Sequence, residues 1–518
     1  MRDWLSHRAR IEPEGEALVT AADGNVYTFA NLDTLVEDMA GRLGDLGVGP
    51  GDHLGAVLET GIEYVCLVHA AMRLGATLVP MGDGLTAREL ATQIDAADVD
   101  AVVCGGATEA TVVEAAGPPD EESESGSGES DRRPSVLTVD EPETALARSL
   151  SSAVAREVTP AEWSLDDTQL VVFTSGTTGD PKAVRLTPAN LLASAAASAF
   201  RLGYDPEDRW LVALSLHHMG GITPVLRMPL YGMTVALREG FEAGPTVDDI
   251  DRYGATAVSL VPTMLRRMLD RRGTLPDSLR VVLLGGAPAA TDLIERCRDY
   301  SIPVYPTYGM TETASQIATA RPKEAFDTPG TVGRPLFPTR VTVVDEGGTA
   351  LPPGESGELV VDGPTVTPGY YGDEEATAAA FGEYGFHTGD VGTIDERGAL
   401  TVLNRLDDRI VTGGENVDPG EVADVLVSHP GVREAAVVGV PDAEWGERVS
   451  ALVVPERDSL DRDALCDFAR DRLADFKLPK TVGTAEEIPR TVSGTVDRER
   501  VRGRLSDGGA DGQGDDRN

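Results

Sequence analysis

Lysine is the scarcest charge in this chain: among 518 residues there are four, Lys182, Lys323, Lys477 and Lys480. Basic residues number 45 against 86 acidic ones, and the formal net charge is −41. A nucleic-acid binder carries a basic face, which this composition does not offer. Acid spread along the whole length, with arginine in place of lysine, suits a surface adapted to a high-salt cytoplasm, where screening over a few ångströms tames self-repulsion. Cysteine is as rare. Cys66, Cys104, Cys297 and Cys466 stand far apart with no CxxC or Cys/His spacing, which argues against zinc and leaves them as small core residues. Long apolar runs are missing too, and none approaches the roughly 20 residues of a membrane span. The stretch Met1-Arg2-Asp3-Trp4-Leu5-Ser6-His7 lacks the apolar segment of a signal peptide. A cytoplasmic location is expected.

What is present is globular, with 41% apolar residues and length for at least two cores. Helical spacing over Phe29–Leu46 and Ile62–Leu74 alternates with apolar strand patterns at His53–Leu58, Leu78–Pro80 and Ala101–Cys104. That order predicts an α/β fold with a largely parallel, doubly covered sheet. Residues 118–135 are acidic and low in complexity, and read as an exposed disordered insertion; 506–518 read as a disordered tail. After residue 335 strand patterns dominate and predict a small β subdomain. Residues 409–505 predict a separate α+β unit, with strands at Ala435–Val440 and Val449–Val454 and a helix at Asp461–Leu473.

The densest cluster of chemistry is Thr174-Ser175-Gly176-Thr177-Thr178-Gly179-Asp180-Pro181-Lys182, set between a buried strand pattern at 170–173 and an alternating one at 183–186. Glycines let backbone N–H groups approach anionic oxygens, hydroxyls donate, and lysine supplies a point charge. The spacing is not that of a Walker loop, because Lys182 follows Pro181 and the next helix starts only at Thr187-Pro188. Downstream, Tyr308-Gly309-Met310-Thr311-Glu312 puts an aromatic, a hydroxyl and a carboxylate on one short loop. Such a loop can stack a purine, bond an α-phosphate and hold Mg²⁺ that takes its other ligands from phosphate and water.

In sequence and order these strings resemble the adenylate-forming superfamily of acyl- and aryl-CoA ligases, luciferases and peptide-synthetase adenylation domains. The resemblance covers roughly residues 5–505 and implies ATP, Mg²⁺ and CoA as reactants or cofactor. It implies an N-terminal domain at 1–403, a hinge at 404–408 with Asp407 as pivot, and a mobile C-terminal lid at 409–505. Thr174 to Gly179 and Lys182 then form the phosphate loop, Gly285-Gly286-Ala287 the adenine floor, and Tyr308 and Gly309 the stacking loop. Thr311 and Glu312 are implied as catalytic, with Glu312 on the metal. Phe386-His387-Thr388-Gly389-Asp390 supplies the ribose carboxylate, Arg405 a second ribose contact, and Gly413 and Gly414 the thiol channel.

Two strings resemble, within that superfamily, the o-succinylbenzoate–CoA ligases of menaquinone synthesis: Gly309-Met310-Thr311-Glu312-Thr313-Ala314-Ser315-Gln316, and His218-Met219-Gly220-Gly221 with Val225-Leu226-Arg227. They imply His218 as a gate beside the acyl pocket, a packed core histidine being the plain alternative. Arg227 or the pair Ser315 and Gln316 are candidates for the acid's spectator carboxylate. Other aryl- or fatty-acid CoA ligases are the alternative class. One departure stands out: Pro489-Arg490-Thr491-Val492-Ser493-Gly494-Thr495 carries Thr495 where the superfamily has lysine, with Arg490 and Arg498 as substitute cations. A catalytically impaired adenylate-binding homologue is therefore also open.

Overall fold

A computed structural model describes residues 3–117, 133–174, 181–408, 410–412, 415–417, 419–442, 445–456, 460–470, 472–491 and 496–507. The chain divides into two compact units, one of residues 1–285, 289–340 and 361–386, the other of 286–288, 341–360 and 387–518.

The first unit has two α/β layers. One sheet runs, in spatial order, through Arg148–Ser149, Ser135–Thr138, Ala101–Cys104, His53–Val57, Thr77–Pro80, Leu170–Thr174 and Lys182–Leu186. All its pairings are parallel except the last, where Leu170–Thr174 and Lys182–Leu186 close an antiparallel hairpin with Thr174 opposite Lys182. The second sheet carries a parallel block of Val304–Met310, Val281–Leu284, Ala257–Leu260, Arg209–Val212, Thr234–Leu237 and Glu16–Thr20. Its strands are apolar without alternation, as burial on both faces requires; all four residues of Val281–Leu284 are buried.

Helices Phe29–Asp45, Ile62–Leu74, Pro188–Leu202 and Met219–Tyr231 fill the core common to these sheets. Ile62–Leu74 is buried from Tyr64 to Leu74, so it reads as apolar all round, and it ends where Gly75 turns left-handed at φ +80°. Pro188–Leu202 begins as its sequence dictates, with Thr187 and Asn190 in a reciprocal cap and Pro188 in the first turn.

The second unit contains strands of Arg340–Val344, Ser356–Asp362, Gly385–Ile394 and Leu400–Arg405, and a further sheet around the long antiparallel pair Val432–Asp442 and Gly446–Pro455. Helices Pro419–Val427 and Arg462–Arg470 cover one side of that pair through Val422, Leu426 and Leu465. Helix Arg498–Asp507 covers the other through Val501 and Leu505.

The last stretch of the second unit begins at residue 387, inside the strand Gly385–Ile394 that pairs with Leu400–Arg405. Two expectations change. Tyr308 to Met310 is strand, not loop; only Thr311–Thr313 forms a turn. The Asp461–Leu473 helix is shorter, Arg462–Arg470, with the Asp461 carboxylate accepting from Ala464 N–H at its start. Residues 118–132 of the acidic insertion and 508–518 of the tail lie outside the described residues, while Ser135 already belongs to a strand.

Candidate active site

In the first unit the candidate side chains lie where strands end. Parallel α/β sheets bind ligands beyond the carboxyl ends of their strands. Val281–Leu284 and Val304–Met310 are parallel neighbours, with Leu284 opposite Pro306. This sets Gly285 against Thr307, so close that a Cβ on Gly285 would stand 2.7 Å from Thr307 Cγ2. Gly286 follows at φ +79°, a left-handed conformation that favours glycine. Tyr308 comes next, half-buried on its strand.

That strand folds back on Ser315–Thr319 through a tight turn. Gly309 is indispensable to the hairpin, since any Cβ there would sit 1.7 Å from Ser315 O. Ala314 and Ser315 both have positive φ, +51° and +115°, a pair of strained non-glycine residues of the kind that clusters at working sites. The turn presents Thr311 and Glu312, the latter only 6% exposed. Thr367 N–H donates to Glu312 O at 2.7 Å. The Tyr370 hydroxyl donates to Glu312 Oε1 at 3.3 Å.

Lys182 opens the returning strand of the other sheet's hairpin, and its Nζ lies 5.0 Å from the centre of the same Tyr370 ring. Thus Lys182 and Glu312 both meet Tyr370, a residue that the sequence does not single out, and Thr174 stands opposite Lys182 in the hairpin. Ser175, Gly176, Thr177, Thr178 and Gly179 lie outside the described residues. A single buried carboxylate fits Mg²⁺, which is held by one or two protein carboxylates and completed by phosphate and water. The described residues contain no cluster of three or more His, Cys, Asp or Glu that could hold a metal ion.

Behind the turn, Arg227 is 5% exposed on helix Met219–Tyr231. Its guanidinium donates to Ser198 Oγ at 3.1 Å and to Ser194 Oγ at 2.9 Å, and Ser194 donates onward to Ala314 O at 2.6 Å. No carboxylate pairs with it among the described residues. Burial lowers its pKa. Ser194 and Ser198 were missed in the sequence because nothing local marks a serine that caps a distant arginine. Gln316 is buried; its Nε2 donates to Thr319 Oγ1 at 2.9 Å, and its Oε1 has no partner.

His218 precedes that same helix, its ring exposed and 4.1 Å from the His217 ring. Burial, and then the neighbouring His218, push His217 down to about 3; His218 is lowered by the protein packed around its inner side. His217 is therefore neutral at pH 7. The helix needs Gly221 here, because a Cβ would approach Ser215 O to 2.2 Å.

In the second unit, Asp390 and Arg405 face each other across the hairpin, Arg405 Nε lying 3.3 Å from Asp390 Oδ1. Glu358, also unforeseen, holds the turn before Asp390: its Oε2 contacts His387 Nδ1 at 2.8 Å and its Oε1 accepts from Gly389 N–H at 3.1 Å. Asp407 lies in the short Leu406–Asp408 turn. Gly413, Gly414 and Thr495 lie outside the described residues. Both candidate substitutes for the missing lysine are committed: Arg490 pairs with Glu434 at 3.1 Å and Arg498 with Asp408 at 3.0 Å.

The chain matches the AMP-binding enzyme family over residues 5–371 and the AMP-binding enzyme C-terminal domain over 421–495. A 2-succinylbenzoate–CoA ligase from Bacillus licheniformis is 37% identical over 500 residues, spanning 96% of this chain and 99% of that protein. Among solved structures, an o-succinylbenzoate CoA synthetase from Bacillus subtilis in complex with its acyl-adenylate intermediate superposes with a TM-score of 0.85 at 33% identity, over 97% of this chain and 98% of that one. The same enzyme in complex with ATP and magnesium ion gives 0.83 at 33% identity, over 98% and 99%.

Proposed function

This chain belongs to the family of AMP-binding enzymes, and we propose that it is an ATP-dependent 2-succinylbenzoate–CoA ligase of menaquinone biosynthesis. The observation that carries the choice of acid is Arg227. Desolvating a guanidinium costs several kcal/mol, and an unpaired one persists where an anionic ligand completes it. A dicarboxylic acid presents one carboxylate for activation and a second as spectator. Fatty acids have no such group, and a pocket for them needs no buried cation.

In the first half-reaction a carboxylate oxygen of the acid attacks the α-phosphorus of ATP, and pyrophosphate leaves. We assign Lys182 and the phosphate loop to the phosphate chain, Thr311 to the α-phosphate and Glu312 to Mg²⁺. Negative charge builds on the phosphate oxygens, and preorganised donors and a cation lower its cost. Mg²⁺ bound at Glu312 would supply further charge neutralisation. Tyr308 and Gly285 to Ala287 are assigned to adenine, Asp390 and Arg405 to ribose. A carboxylate suits two ribose hydroxyls because it only accepts. In the second half-reaction the CoA thiolate attacks the acyl carbon and AMP leaves; rotation about Asp407 between the halves lets one site serve both. We place the enzyme in the cytoplasm, its acidic surface suited to high salt.

The test is AMP release in high salt. It should require both CoA and 2-succinylbenzoate. Release with fatty acids or benzoates alone would reject the substrate and keep the class. Absence of 2-succinylbenzoate-dependent pyrophosphate exchange would favour an adenylate-binding homologue that has lost catalysis, the reading Thr495 raises.

A further inference from the structure

Lys182 and Glu312 carry opposite charges, reach the site from different sheets, and meet a single side chain between them. Tyr370 is 7% exposed. One face of its ring holds Lys182 Nζ at 5.0 Å, and its hydroxyl donates to Glu312 Oε1 at 3.3 Å. We propose that Tyr370 is a positioning residue of the adenylation step, setting the phosphate-side lysine and the metal-side carboxylate at a fixed spacing before ATP arrives. This rests on the functional reading above.

The backbone around Tyr370 is built for that task. Tyr370 bridges Val184; Tyr371 N–H donates to Ala183 O at 2.7 Å and Arg185 N–H to Gly369 O at 3.1 Å. These contacts add residues 369–371 to the edge of the strand that begins at Lys182. Three residues earlier, Thr367 N–H donates to Glu312 O at 2.7 Å while Thr367 Oγ1 donates to Arg185 O at 2.6 Å. Tyr370 N–H itself donates to Thr377 Oγ1 at 2.9 Å, and Tyr371 Oη reaches Asp98 Oδ2 at 3.0 Å on the far side. One short segment therefore ties the Lys182 strand to the Glu312 turn at both backbone and side-chain level.

The chemistry of each contact suits a temporary hold. A ring face attracts an ammonium weakly and without desolvating it fully, so Lys182 is kept extended yet yields readily to phosphate oxygens. A phenol keeps the carboxylate oriented by donating to it, without adding a charge that would compete for Mg²⁺. Ring and hydroxyl are thus separable functions.

Tyr370→Phe and Tyr370→Leu, in the full chain, separate them. Phe keeps the ring and should raise the Mg²⁺ concentration for half-maximal pyrophosphate exchange about tenfold, with the KM for ATP within twofold of the parent. Leu removes both contacts and should add about a tenfold loss of MgATP affinity by calorimetry. Melting temperatures without nucleotide should agree within a few degrees. Parental Mg²⁺ dependence in the Phe variant, or equal calorimetric MgATP affinity in the Phe and Leu variants, overturns the proposal; should Leu fail to fold, the Phe result decides. A parent enzyme inactive with 2-succinylbenzoate would instead reject the substrate reading, and calorimetry would still judge Tyr370.

Discussion

Replacing Arg227 with methionine tests the acid assignment most directly. The guanidinium is 5% exposed, with two serine hydroxyls at 3.1 and 2.9 Å as its neutral acceptors. Hydrogen bonds from a charged group contribute about 1.5–3 kcal/mol each. Desolvation of the cation costs several kcal/mol in the opposite sense, so without a carboxylate the residue is near neutral for folding or costs stability. Methionine fills similar length without charge. Ser194 keeps its bond to Ala314 O, so no buried donor is orphaned there. Unfolding free energy should stay level or rise by about 1–3 kcal/mol, as when buried ionic groups give way to apolar ones. The spectator carboxylate loses its charged partner, a deficit of about 1.5–3 kcal/mol, or roughly ten- to 150-fold in kcat/KM. AMP release assayed with 2-succinylbenzoate, and with an analogue lacking the spectator carboxylate, reads the difference. The analogue should be nearly indifferent to the substitution. An equal fall for both acids, or a melting temperature lowered by more than a few degrees, would make Arg227 a structural residue and refute the reasoning.

Thr495→Lys should raise pyrophosphate exchange and leave CoA transfer from preformed acyl-adenylate intact, whereas Arg490→Ala and Arg498→Ala should change exchange by less than about twofold, since their cations are spent on Glu434 and Asp408; a larger loss in either arginine variant contradicts this. Burial lowers His69 to about 4, outweighing the raising effect of Asp3. The folded state therefore keeps His69 neutral while the unfolded chain takes a proton near pH 6.5, so stability is lost as pH falls from there towards 4, by up to about 1.4 kcal/mol per pH unit. Denaturant titrations of His69→Gln should show a correspondingly shallower decline between pH 6.5 and 5; an unchanged slope would assign the acid sensitivity elsewhere. Raising KCl from 0.1 to 2 M should raise the melting temperature, because screening a charge of −41 outweighs the loss of exposed Arg–Asp pairs contributing about 0–1 kcal/mol each. A melting temperature that falls with salt would remove the halophilic reading.

Local chemistry was legible wherever a residue's role follows from its neighbours in sequence. Ile62–Leu74 and Ala101–Cys104 have the predicted bounds because burial on all sides leaves an uninterrupted apolar run. Thr187 and Pro188 announce their helix. What escaped was non-local. Gly369-Tyr370-Tyr371 carries no local signal, and only pairing with Val184 makes it a strand edge that holds Lys182. Glu358 looks like one more acid in an acidic chain until the Gly385–Ile394 strand sets its carboxylate beneath His387 and Gly389. Tyr308 has no local strand signal because its partner strand begins at Ser315, within a pair of positive-φ residues that no propensity favours. The same blindness made Arg490 and Arg498 look available. A cation's availability depends on which carboxylate meets it, and Glu434 and Asp408 come from distant segments. With both arginines paired, the missing lysine at Thr495 becomes a sharper question than the sequence posed. On the proposed assignments, either the first half-reaction runs on Lys182, Mg²⁺ and the turn at Glu312 alone, or the acid's own activation is slow, and the Thr495→Lys exchange rate separates the two.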